Sequence, residues 1–333
     1  MPVQFFPNTL TSALLAVLRN GSAGDNPFTQ ASEVEEPWVS TVSDVFVPRK
    51  APSDSLWKCY DYNPLGTLPH FISSFMSPSP VGSSRYDEAM KGLPEGDRYR
   101  LYIDRNRQAQ GPDCFDIREP GYAKGMQEAF ELVRDLVGKP LTVETYQSIH
   151  DAAIHNVFDS TTSSYMAKGF SNGHAVYGVD LEKVTTEARQ EWETEKLIAV
   201  NPKRWRTNKE YLACLRRRNY VCPSVAPKGD QNLMLRRLET IFEQYNKGLR
   251  RADTDIDKKR VIARACRSLE IGHFFYDGNQ RTVAFLVLNK MLIENDLKPV
   301  ILPDPFVFDG YLSVDQLVEE IDKGQQIFDE YVK

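Results

Sequence analysis

At 333 residues the chain can bury a sizeable core, as one large domain or two small ones. Hydrophobic residues at 41% and charged residues at 26% are ordinary for a soluble globular protein, and a net charge of −5 gives no general attraction to nucleic acid or anionic membrane. Five cysteines (Cys59, Cys114, Cys214, Cys222 and Cys266) form no C-x-x-C pair, which argues against a disulfide framework or a cysteine-rich zinc site and for a reducing, cytoplasmic compartment.

No apolar stretch approaches the ~20 residues that a spanning helix needs. Leu10 to Leu18 has the look of a signal-peptide core, but no basic region precedes it and Arg19 follows it, so it reads as a short amphipathic helix. Export as an effector stays open. Residues 20–120 are rich in Pro, Ser, Gly and Asp, as in the run from Ser77 to Ser84, and read as loops with small elements. Their aromatics, among them Trp38, Trp57, Tyr60 and Phe71, are too many for free disorder. Segment 1–120 is therefore expected to be loop-rich and pinned onto a helical domain spanning 121–333.

Helical texture begins at Pro120. Gly121–Val137 places Met126, Ala129, Phe130, Val133 and Leu136 on one face, and Thr142–Phe158 does so with Tyr146, Ile149, Ala152 and Val157. Lys168–Gly178 then carries a strand signal, with Asn172-Gly173 as a hairpin turn. Further helices are expected over Asn232–Tyr245, Ile256–Ile271, Thr282–Glu294 and Ser313–Tyr331, the last with Ser313 as N-cap. The class is all-α, with one buried helix at its centre.

Between the hairpin and the later helices lies an atypical stretch, 180–230. Its acids (Glu187, Glu191, Glu193, Glu195) precede a basic run around Arg204, Trp205 and Arg216–Arg218. Such mixed charge fits a solvated helix or a docking surface for an acidic protein better than nucleic acid. His150 and His155 stand five apart without a helping Glu, so they do not form a zinc pair of the H-E-x-x-H kind. There is no G-x-x-x-x-G-K-[ST] loop and no G-x-S-x-G elbow.

The richest chemistry lies in His273-Phe274-Phe275-Tyr276-Asp277-Gly278-Asn279-Gln280-Arg281, just before the apolar run Thr282–Leu288. His273 is a titratable base, and Asp277 is a hard carboxylate able to hold Mg²⁺ beside substrate phosphates. Gly278, Asn279 and Gln280 lie where a helix begins, so their backbone N–H groups and the dipole favour an anion. Arg281 adds a fixed cation.

This segment resembles the Fic motif, H-x-F-x-[DE]-G-N-[GK]-R, at His273, Phe275, Asp277, Gly278, Asn279 and Arg281. The clear resemblance covers residues 230–295, with weaker likeness back to about Gly121. It implies a Fic (Fido) helical bundle in which a buried motif helix lies at the centre and a small β-hairpin flap aligns the target protein. On this chain the flap would be Gly169, Phe170, Ser171, Asn172, Gly173 and His174.

The resemblance implies transfer of AMP from ATP to a Ser, Thr or Tyr hydroxyl of a protein. His273 would be the general base, Asp277 would hold Mg²⁺, and Gly278, Asn279, Gln280 and Arg281 would bind the phosphates. Phe275 would anchor the loop by packing. Phe274 replaces the usual Pro, a change expected to be tolerated. Two departures open other readings: Gln280 replaces a small Gly, and Ala284 stands where a second Arg is common. The missing second Arg and the missing inhibitory signature are mutually consistent and resemble the Doc-type branch, which transfers phosphate. A phosphocholine or other nucleotide donor is a further alternative, as is a non-catalytic binding module. No inhibitory [ST]-x-x-x-E-[GN] signature is present. The expected partners are a protein substrate and ATP, and the sequence leaves room for a homodimer.

Overall fold

A computed structural model of the protein describes residues 80–103, 111, 119–160, 163–171, 179–180, 183–195, 220–221 and 231–332. The chain divides into the units Met1–Thr41 and Val42–Lys333, and every described residue belongs to the second. The expected helix at Leu10–Leu18, the basic run 203–218 and the turn residues Asn172, Gly173 and His174 lie outside the described residues.

The fold is all-α with a small hairpin. Helix α1 (Pro80–Ala89) is followed by a 3₁₀ helix over Glu95–Leu101, then by α2 (Tyr122–Leu136) and α3 (Val143–Ala153). Strands β1 (Phe158–Asp159) and β2 (Ser164–Tyr165) pair antiparallel, with Phe158 opposite Tyr165. Next come β3 (Val179–Asp180), α4 (Thr186–Glu195), β4 (Tyr220–Val221), α5 (Gln231–Leu249) and α6 (Asp255–Gly272). A π-helical segment over Arg281–Val287 runs straight into α7 (Leu288–Glu294). A 3₁₀ turn at Pro305–Phe308 and α8 (Val314–Tyr331) complete the described residues. None of these helices is long and apolar enough to cross a membrane.

Each long helix has a local cause. Tyr122, Met126, Ala129, Phe130, Val133 and Leu136 give α2 one apolar stripe, and all are buried. Gly125 lets α2 approach α3 closely, because a Cβ there would stand 2.8 Å from the Ala153 carbonyl oxygen. Thr142, Thr254 and Ser313 cap α3, α6 and α8, each side-chain oxygen accepting from a backbone N–H of the first turn. At Ser313 the Gln316 side chain returns the bond, making a capping box. Ser313→Ala is expected to cost about 1 kcal/mol, read as a melting temperature lowered by roughly 2–4 °C.

The structure departs from the sequence reading in two places. Helix α3 stops at Ala153 rather than Phe158, because Asn156 turns left-handed at φ 58° and leads the chain into β1. The Pro- and Ser-rich run read as loop enters α1, with Pro80 at the first helical position, where a missing N–H costs little. Of the atypical stretch 180–230, the described residues hold α4, which buries Ala188 and Trp192, and β4, which pairs with β3.

The centre of the core is the helix through Arg281–Glu294. Every residue from Thr282 to Ile293 is buried, so this helix has no solvent face. It packs against α1, α2, α3, α6 and the 3₁₀ turn at Pro305–Phe308. Its first turns are π rather than α: the Leu288 N–H bonds to the Val283 carbonyl, five residues back. At its start both the amide and the hydroxyl of Thr282 donate to the Gly278 carbonyl, at 3.0 and 2.8 Å, a back-bonding that perturbs a regular ladder. Lys290, fully buried in α7, donates to the Lys139 carbonyl at 2.9 Å and pairs with Glu294, which also accepts from the Tyr245 hydroxyl.

Candidate active site

Helix α6 ends where its last residue meets an aromatic wall. A Cβ on Gly272 would lie 2.2 Å from the Phe274 ring, so only glycine fits this approach. His273 follows in the left-handed conformation, φ 46° and ψ 57°, and turns the chain into the motif loop. Gly278, at φ 69°, turns it again toward the central helix, and a Cβ there would press on Ile154 at 2.8 Å.

Asn279 braces the loop from inside. Its side-chain oxygen accepts from the Phe275 N–H, and its amide donates to the Phe275 carbonyl, both at 2.9 Å. The same amide nitrogen lies 3.3 Å from His273 Nε2. An amide can only donate there, so this contact sets Nε2 as the unprotonated, acceptor nitrogen of the ring. His273 is 2% exposed. Asp277 is half-buried four residues further on, and its Oδ1 accepts from the Gly278 N–H at 2.7 Å.

Gln280 is the N-cap of the central helix. Its side-chain nitrogen is buried and has no hydrogen-bond partner among the described residues. A buried donor left in that state is costly unless a ligand satisfies it. Arg281 is engaged: Nη2 bonds to Glu119 Oε2 at 2.7 Å, and the guanidinium lies 4.7 Å from the centre of the Tyr122 ring. Burial opposes its charge, but Glu119, Tyr122 and Asp277 outweigh burial and hold the guanidinium above its ordinary pKa.

The described part of the expected flap runs directly along this loop. Phe170 forms an antiparallel bridge with Phe275, and the Ser171 N–H donates to the Phe274 carbonyl at 2.8 Å. The Ser171 hydroxyl is 3.5 Å from the His273 carbonyl. Phe275 is sandwiched between Phe170, at 5.0 Å and 11°, and His150, at 3.6 Å and 7°. Phe274, standing where the motif usually has Pro, is buried edge-on to Tyr146.

Two participants escaped the sequence reading. Glu119 carries no local signal and meets Arg281 across 162 positions. The sequence offers His150 only as a candidate metal ligand. It is fully buried, with Nε2 at 3.0 Å from the Asp277 carbonyl oxygen and Nδ1 at 2.9 Å from Asp151 Oδ1. His155 points elsewhere, to Glu128 at 3.5 Å.

Asp151 also accepts from the Gly169 N–H at 2.9 Å. Burial works against its charge, but bonds from His150, Gly169 and Gln147 prevail and hold its carboxyl below the ordinary value. A depressed folded pKa means a contribution that is present above the unfolded pKa and is lost as pH falls through the folded one. The stability gap between wild type and Asp151→Asn is therefore expected to hold from pH 6 downward and to close only below about pH 4, as followed by urea melts across that range.

Among the described residues no three His, Cys, Asp or Glu side chains gather as a metal site. Asp277 alone would fit Mg²⁺ in the manner that takes one carboxylate and completes the sphere with substrate phosphates and water.

No protein-family model matches this chain. Over 81 residues it is 38% identical to the phosphocholine transferase AnkX of Legionella pneumophila. Those residues make up 24% of this chain and 8% of AnkX, so the likeness spans a small part of that relative.

Proposed function

We propose that the protein is a Fic-type transferase that moves a phosphate-linked group from a nucleotide donor onto a Ser, Thr or Tyr hydroxyl of another protein. One observation carries this reading. His273 presents an acceptor nitrogen at the end of α6, in a loop that also holds the Asp277 carboxylate and opens the central helix.

A neutral hydroxyl is a poor nucleophile, so a base should take its proton as it attacks phosphorus. His273 is that base, its Nε2 exchanging the Asn279 amide for the incoming hydroxyl. The new P–O bond forms to the acceptor oxygen, and the P–O bond to the leaving group breaks. The donor's phosphate oxygens would supply the acceptor that Gln280 Nε2 lacks, and backbone N–H groups at the helix start favour the same anion. Arg281 is a cation already fixed in place by Glu119. Asp277 would hold Mg²⁺ together with the donor; when bound, the metal offsets the charge that develops on the leaving group.

Two donors fit this chemistry. ATP would yield AMP transfer with pyrophosphate leaving. A nucleotide-activated phosphocholine would yield phosphocholine transfer with a nucleoside monophosphate leaving, and the partial likeness to AnkX favours this second donor. Intact-mass spectrometry after incubation with each donor, Mg²⁺ and a cell-extract acceptor pool distinguishes them by the mass added to the acceptor or to the enzyme. Gain of phosphate alone would point to the Doc-like alternative. Absence of any gain with every donor, for wild type as for His273→Ala, would leave only a binding module.

A further inference from the structure

We infer that His150 and Asp151, adjacent on α3, form a clasp that fixes the motif loop and the flap strand in register with each other. One arm is the bond from His150 Nε2 to the Asp277 carbonyl; the other is the bond from the Gly169 N–H to Asp151 Oδ1. The two arms are joined through His150 Nδ1 and Asp151 Oδ1. Phe275 closes the unit, its ring held between His150 and Phe170.

The physical case rests on what each arm restrains. Asp277 offers its side chain to the candidate metal position, and that side chain can be held only as firmly as its own backbone. The His150 bond at the carbonyl of Asp277 is a long-range tether on that peptide, reaching 127 positions back in the chain. Gly169 has φ 79°, so the strand enters from a turn, and its N–H is secured by a side chain rather than by a ladder. The next two residues of that strand bond along Phe274 and Phe275. His150 and Asp151 thus act through other residues and touch no reacting atom; they are positioning residues. Orienting partners of this kind commonly change activity by about 10- to 100-fold when removed.

The role of the clasp in transfer rests on the transferase reading above, whereas its existence can be tested without it. His150→Phe keeps a flat ring to stack on Phe275 and removes both hydrogen bonds. In the full chain, hydrogen exchange read by mass spectrometry is expected to lose protection jointly in 166–171 and 274–281, while α5 and α8 stay protected. Unchanged exchange in either segment, or an equal loss throughout the protein, overturns the clasp.

Kinetics give the second reading. In His150→Phe, kcat should fall on the order of 10- to 100-fold with little change in the KM of the acceptor protein. Asp151→Ala should chiefly raise that KM. His150→Gln, whose amide can still donate to the Asp277 carbonyl, should recover most of kcat. Loss that tracks only the folded fraction, with no split between kcat and KM and no recovery by Gln, overturns the positioning role. Absence of transfer by the wild type refutes the transferase reading and leaves the exchange result to judge the clasp.

Discussion

Substituting His273 with alanine is expected to lower the transfer rate by about 10²- to 10⁴-fold, the usual contribution of a positioned general base. The effect should appear in kcat, because the ring is needed as the acceptor's proton leaves and not to hold the donor. The substitution has a structural side as well. His273 closes α6 in the left-handed conformation, which histidine and asparagine visit more readily than alanine. His273→Asn separates the two effects, since asparagine tolerates that backbone and has no basic ring nitrogen. Both variants should be nearly inactive, and Asn should melt closer to wild type. An asparagine variant that transfers within a few-fold of wild type would remove His273 from the chemistry.

The second large effect concerns stability. Glu191→Ala is expected to destabilise the protein by about 2–3 kcal/mol, below the full range for a buried ion pair that loses one member, because the Glu191 side chain is 27% exposed. Glu191, on α4, meets the fully buried Arg267 of α6 at 2.5 Å and also accepts from the Val314 N–H at the start of α8. One carboxylate thus ties together three helices and complements the positive end of α8. Removing it takes one carboxylate from a fully buried guanidinium and leaves the bond from Arg267 to the Leu312 carbonyl. Thermal melts should show a fall of roughly 4–12 °C. Replacing both partners with apolar residues, Glu191→Leu with Arg267→Met, should recover much of the loss. Equal destabilisation in the single and double variants would show that the helices are held by packing alone.

Much of this molecule was readable before any coordinates. Helices with one apolar stripe, such as α2 and α8, follow from spacing, and the Ser313 cap follows from residue type. The motif was legible because its nine residues are contiguous. The rest was hidden for physical reasons. Arg281–Glu119 and His150–Asp277 join positions far apart in the chain, and a sequence displays spacing only along itself. Helix α4 reads as a solvated acidic helix, yet Ala188 and Trp192 are buried, and Glu191 faces a buried cation. The π winding of Arg281–Val287 depends on which carbonyl each amide selects, which composition does not encode.

The central helix bears on how the protein assembles. With no side that water accepts from Thr282 to Ile293, this segment cannot stand alone and must wait for its neighbours to offer a niche. During refolding the far-ultraviolet helical signal should return first and catalytic competence later, when His273 is finally drawn into place. Until then the segment is a sticky surface, and crowded refolding should lose material to clumping at that stage.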